Sequence, residues 1–186
     1  MIGLIALWIP ILVSVVFVFV TTMVIHMLPA WHQGDTAPIP DEDRVMEMLR
    51  SVKLKPGEYR FPYGNTTKEM EAPAFVAKMN AGPVGLMTIR PTGELPFGKM
   101  LGLWFAYVLV VGILTAYVVG LSHGRGAPFA EVLRVSSAVA FCCHAVAHWQ
   151  HWIWWGKSTR MTLTYSIDGL VFALVTGATF AWLWPR

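Results

Sequence analysis

The stretch GLIALWIPILVSVVFVFVTTMVIHM, residues 3–27, runs for 25 residues without one charged side chain. About 20 mostly apolar residues in a helix cross a hydrocarbon core of about 30 Å. The stretch is too long for a strand or an ordinary core helix, and it reads as a membrane-spanning helix. Pro10 inside it is tolerable in such a segment. A cleaved signal peptide is the rival reading, but no basic region precedes the apolar run. The exit, His26-Met27-Leu28-Pro29, also offers no small-residue cleavage site. Residues 1–30 are therefore expected to be a retained first transmembrane helix.

Working outward, three more stretches meet the same criterion: residues 101–121, 132–155 and 165–184. Composition agrees, with 55% hydrophobic and 13% charged residues in a chain of 186. A soluble domain carries about 25% charged residues. The expected fold class is thus an all-α membrane protein: four transmembrane helices, with a small α+β extramembrane cap between the first and second. The domains are 1–30, a cap at 31–99, and a three-helix region at 100–186. A net charge of +3 is too mild to suggest nucleic acid. The adjacent Cys142 and Cys143 fit neither a disulfide framework nor a zinc site.

Charge is segregated along the chain. Residues 32–99 hold nine acidic and nine basic side chains, whereas Asp168 is nearly the sole formal charge inside a span. Arg125, Arg134 and Arg186 favour a cytoplasmic second loop and cytoplasmic termini, against Lys99, Lys157 and Arg160 on the other side. The expected location is the bacterial inner membrane, with the cap in the periplasm. Tryptophans that gather at membrane–water interfaces fit four spans. Trp31, Trp104, Trp149, Trp152, Trp154 and Trp155 fall on the cap side, and Trp182 and Trp184 on the other. All but Trp149 are taken as the principal interfacial anchors.

The cap shows local signals of its own. Acids at Asp41, Glu42 and Asp43 precede an apolar stripe at Val45, Met48 and Leu49, which predicts a short amphipathic helix. A second helix is expected from Pro73 to a left-handed cap at Gly82. An extended stretch at 58–63 is expected to pair with 84–89.

Two patterns inside the spans bear on function. Small residues recur every four positions, Gly112, Ala116 and Gly120 in the second span, and Gly169, Ala173, Gly177 and Ala181 in the fourth. Such faces bring helix backbones together in lipid, where apolar side chains gain little by leaving the hydrocarbon. They serve either this bundle or a partner. The second pattern is His144, His148 and His151, spaced i, i+4 and i+7 on one helix face. His26 and Asp168 belong at a comparable depth near the same membrane face. Ionisable groups inside a span face a partner or a wet cavity, and imidazoles with a carboxylate are ligands for haem, a chlorin or copper. The alternatives are a polar cluster that only satisfies itself and a proton or ion path. No HExxH, P-loop, GxSxG or CxxCH motif is present, so nothing in the sequence signals an enzyme.

Three stretches, Lys55-Pro-Gly-Glu-Tyr-Arg-Phe-Pro-Tyr63, Gly82-Pro-Val-Gly85, and Asp168-Gly-Leu with Trp182-Leu-Trp-Pro185, resemble a family of small uncharacterised four-span bacterial inner-membrane proteins. That resemblance implies the architecture and carries no activity. The sequence therefore supports first a non-catalytic subunit, lying in the bilayer and packing on other membrane-protein subunits of a respiratory or photosynthetic complex. Its rival is a redox or metal- or tetrapyrrole-binding protein using His26, His144, His148, His151 and Asp168.

Overall fold

The computed structural model describes residues 1–27 and 31–186. The protein is mostly helical, 68%, with one small two-stranded sheet. Among the described residues, four helices are long and apolar enough to cross a membrane: 4–27, 97–122, 129–155 and 159–182. The expected end of the first span at residue 30, and its Leu28-Pro29 exit, lie outside the described residues.

The chain forms two compact units, Met1–Thr36 with Pro96–Arg186, and Ala37–Leu95. The second unit holds α2 (Glu42–Ser51), β1 (Gly57–Phe61), α3 (Thr67–Glu71), α4 (Pro73–Ala81) and β2 (Gly85–Ile89). Strands β1 and β2 run antiparallel with Tyr59 opposite Met87. Helix α4 begins at Pro73 and ends at Gly82, whose φ of +63° favours glycine but whose ψ of −177° lies outside the expected left-handed helical well. Helices α2 and α4 and the β1–β2 pairing lie close to where the turn and capping residues predict them; α3, capped by the Thr66 side chain accepting from the Glu69 N–H, was not anticipated.

The first unit is the helical one. A short 3-10 turn, Leu4–Leu7, leads into α1 (Trp8–Met27). Then come α5 (Phe97–Ser122), α6 (Phe129–Phe141), a π turn at Cys142–Val146, α7 (Ala147–Trp155) and α8 (Thr159–Trp182). Every small residue of the two predicted faces is buried, and their neighbours belong to this chain. Gly112 lies against Ile11 and Val15 of α1, Gly120 against the Ile2 carbonyl, Gly169 against Ala145, and Gly177 against Leu133 and Ser137. The faces close the bundle itself and are not free to receive a partner. Around them sits a core of Leu7, Ile11, Val119, Val132 and Phe180.

Two expectations change. Helix α8 starts at Thr159 rather than 165, because Ser158 caps it by accepting from the Met161 backbone N–H at 3.1 Å. Asp168 is therefore the tenth residue of the helix, about 13 Å from its start at helical rise. It lies beyond the first turn, where a helix dipole would favour it. The cap is also shorter than 31–99. Residues 31–36 group with the helices, since their polar side chains bond to α8.

Close backbone approach at Gly177 yields a direct test. A Cβ there would meet the Leu133 carbonyl oxygen at 2.9 Å and Ser137 Oγ closer still, whereas one at Gly102 meets nothing within 4 Å. Gly177→Leu is expected to destabilise the bundle by about 1–3 kcal/mol or more, seen as a lower thermal midpoint in detergent. Gly102→Leu should leave that midpoint unchanged.

Candidate functional site

Asp168 is 2% exposed, and a carboxylate this deep requires donors. The turn at 31–36 supplies one: Trp31 Nε1–H donates to Asp168 Oδ1 at 2.7 Å. His32 Nε2 lies 3.2 Å from Asp168 Oδ2 without forming a hydrogen bond. The other ring nitrogen of His32, Nδ1, lies 2.9 Å from Asp35 Oδ2. Asp35 is itself 7% exposed in its side chain. It accepts from the Thr164 hydroxyl at 3.1 Å and pairs with Arg160 Nε at 3.4 Å. Arg160 also donates through Nη2 to the Gln33 carbonyl at 2.7 Å. One turn of six residues is thus fastened to α8 at Arg160, Thr164 and Asp168, all within two and a half helical turns.

The second feature is a cavity of about 720 Å³ between α1, α5, the π turn, α7 and α8, within the range of ligand pockets. Its apolar walls include Met23, Met27, Phe97, Met100, Leu101 and Phe172. Trp104 and Tyr107 of α5 line it, and their rings stack at 5.3 Å. Its polar lining is His26, His144, His148, Tyr165 and Asp168.

The histidines differ in what their rings can do. His26 Nδ1–H donates to the Thr22 carbonyl at 3.0 Å, which leaves Nε2 as the basic nitrogen. Its ring stacks on His32 at 4.6 Å. His144 is buried between Trp104, Tyr107 and Phe172, and its Nε2 has no hydrogen-bond partner. It sits in the π turn, where an extra residue per turn re-aims side chains; such turns recur at functional sites. The Tyr107 hydroxyl donates to the Cys143 carbonyl of the same turn at 2.6 Å. His148 packs on Tyr165 at 5.2 Å.

Four of the five predicted ligands, His26, His144, His148 and Asp168, therefore line one cavity. His151 does not. It lines a separate pocket of about 110 Å³ with His148, Lys157 and Met161. Among the described residues, no three His, Cys, Asp or Glu side chains are grouped to hold a metal ion. Cys142 and Cys143 are free thiols.

Sequence reasoning missed His32, Asp35, Tyr165 and Tyr107. The spacing His32-x-x-Asp35 just after a span was the available signal for the first two. The expected interfacial tryptophans differ in their contacts. Trp31 is exposed yet bonded to Asp168, Trp104 donates to Thr22 at 3.3 Å while lining the cavity, and Trp184 is 7% exposed with its N–H on the Gly124 carbonyl at 2.9 Å. Trp152, Trp154, Trp155 and Trp182 are exposed.

Comparison with protein-family models, with curated proteins and with solved structures finds no match. The reading below rests on this chain's own residues.

Removing the acceptor should be costly. Asp168→Ala strands the Trp31 N–H, and leaving a buried donor without its acceptor costs about 1–3 kcal/mol. The expected result is a lower thermal midpoint in detergent. Glu131→Ala, at a half-exposed carboxylate 3.9 Å from His123, should change it little.

Proposed function

We propose that the protein is a multi-pass membrane protein that binds a tetrapyrrole in the cavity between α1, α5, α7 and α8. The carrying observation is that helices distant in sequence deliver His26, His144, His148 and Asp168 to one cavity of about 720 Å³. A bare metal ion wants three or four protein donors in close geometry, and the described residues offer no such group. A tetrapyrrole asks for less, since its ring supplies four donors and the protein adds one or two axial ligands. A ligating histidine characteristically donates its other N–H to a backbone carbonyl or carboxylate, which fixes the ring and the free nitrogen. His26 has that arrangement with Thr22. Apolar and aromatic walls suit a flat macrocycle. We place the protein in the bacterial inner membrane with both termini cytoplasmic, on the charge distribution of its loops. The cavity then opens toward the periplasmic side.

A second reading, the accessory subunit of a larger bioenergetic complex, keeps one observation in its favour. None of the nine residues of α7 is buried within the chain, and Trp149, Trp152, Ile153, Trp154 and Trp155 of that helix are all exposed. Lipid or a neighbouring subunit would cover them equally well.

Titration of the purified full chain with haemin separates the two readings. Binding at one haem per chain, with a Soret band distinct from that of haemin in detergent alone, is expected. His26→Ala should abolish that band and His148→Ala should weaken it. His151→Ala should leave it intact. A wild-type spectrum no different from free haemin would sink the cofactor reading and leave the accessory-subunit one.

A further inference from the structure

The unit Ala37–Leu95 has almost no interior of its own. Gly64 is its one buried residue, and a two-stranded hairpin is marginally stable until further strands or a helix cover it. Strand β1, Gly57–Phe61, pairs with β2 along one edge. Its other edge carries backbone N–H and C=O groups with no strand beside them, a template for pairing with another chain. Glu58 and Arg60 of that strand are both exposed and, two residues apart, share one face of the sheet. The Thr88 hydroxyl donates to Glu58 Oε2 at 2.8 Å, and Arg60 Nη2 donates to the Gly64 carbonyl at 3.1 Å. The Arg60 guanidinium also stands 5.7 Å from the centre of the Tyr63 ring. Among the described residues neither Glu58 nor Arg60 is in an ion pair.

We propose that the outer edge of β1 is the contact through which two copies of this chain pair. The two β1 strands run antiparallel about a twofold axis at Tyr59 and make one four-stranded sheet. Antiparallel strands related by an axis normal to the sheet keep their faces in agreement only when the axis passes through a residue. With the axis at Tyr59, Glu58 of each copy stands opposite Arg60 of the other, and two opposite-charge cross-strand pairs form. With the axis one residue earlier or later, Glu58 meets Glu58 or Arg60 meets Arg60, and like charges directly opposite are destabilising.

The flanking prolines select the same axis. Pro56 and Pro62 lie three residues either side of Tyr59, and proline has no N–H to give a ladder. An axis at Tyr59 matches all of Gly57–Phe61 on one copy with all of it on the other. The outer edge of β2 offers no such selection, because Gly85–Ile89 is uncharged and an axis at Met87 only sets Leu86 against Thr88. A contact that uses one patch twice closes at two copies, whereas joining β1 of one copy to β2 of the next would continue without end. The pairing is independent of what the cavity binds.

The test is disulfide cross-linking of the full chain in liposomes at high lipid excess, with Cys142→Ala and Cys143→Ala removing the native thiols. Directly opposed residues on antiparallel strands have Cβ atoms about 4.5–5.5 Å apart, close to what a disulfide spans. Tyr59→Cys should therefore give a covalent dimer under mild oxidation. Met87→Cys, three strand spacings or roughly 14 Å from its counterpart, should not. If Tyr59→Cys does not fold, a mixture of Gly57→Cys and Phe61→Cys chains reads the same register, since each position faces the other. On the Tyr59→Cys background, Glu58→Arg should lower the dimer fraction about threefold or more, and adding Arg60→Glu should restore it. The double variant still lacks the Glu58–Thr88 and Arg60–Gly64 bonds, so its recovery reports the restored charge pairing between copies. Three results would each overturn the proposal: no dimer from either Tyr59→Cys or the mixture, a Met87→Cys dimer as abundant as that of Tyr59→Cys, or a charge swap no better than Glu58→Arg alone.

Discussion

The carboxylate of Asp168 is the constraint from which the helical unit is organised. It lies ten residues into a helix long enough to cross a membrane, too far in for the helix terminus to help it. A bare carboxylate at that depth is expensive in any low-dielectric surrounding, and more so in lipid. A donor must therefore come from another segment. It comes from the turn after α1, where the Trp31 N–H reaches the carboxylate and the His32 ring lies against it, while Asp35 takes Thr164 and Arg160. Six residues that composition assigns to a loop are thereby made part of the helical unit. The same contacts tie the end of α1 to the start of α8.

Packing divides the unit into two ends of different character. Toward the termini the helices meet through glycine and alanine: Gly120 touches the Ile2 carbonyl, Gly112 receives Ile11 and Val15, and Gly177 meets α6. Without much hydrophobic drive between helices in lipid, such backbone contacts supply the adhesion. Toward the other end the facing residues are Trp104, Tyr107, Phe172 and His144, whose ring centroids stand 5.3 to 6.2 Å apart. The cavity lies among these rings, and Gly169 of α8, close against Ala145 of the π turn, shares its wall. Small-residue contact and aromatic lining thus meet at α8 beside Asp168.

How much of this was legible in the sequence depended on the range of the interaction. The four long helices, two of the three short cap helices and a pairing close to the observed 57–61 with 85–89 follow from local periodicity, capping and turn residues. The small-residue faces were visible too, but not what would cover them, since a glycine stripe carries no address. Placing His26, His148 and Asp168 at one depth needed only helical rise and topology, and the cavity lining agrees. His151 was grouped by spacing alone; it lies one turn beyond His148 on α7, and only His148 of the two reaches the cavity. His32 and Asp35 were passed over because a polar pair in a loop looks solvated until the partner helix is in place. Trp31 is the sharpest case. An indole at a span's end is an ordinary anchor, and nothing in the local sequence signals its added bond to Asp168.

Charge balance joins the polar cluster to the cavity. Asp35 and Asp168 bring two negative charges, and Arg160 brings one positive charge, on the exposed side. Arg160 pairs with Asp35 on the exposed side, whereas Asp168 is met by the neutral indole N–H of Trp31 and the imidazole edge of His32. The guanidinium therefore sits at the outer end of the cluster, and the carboxylate at the inner end is the one that lines the cavity. A buried carboxylate held by so few donors is costly, and that cost falls at the cavity wall, where any donor or positive group entering the cavity would lower it.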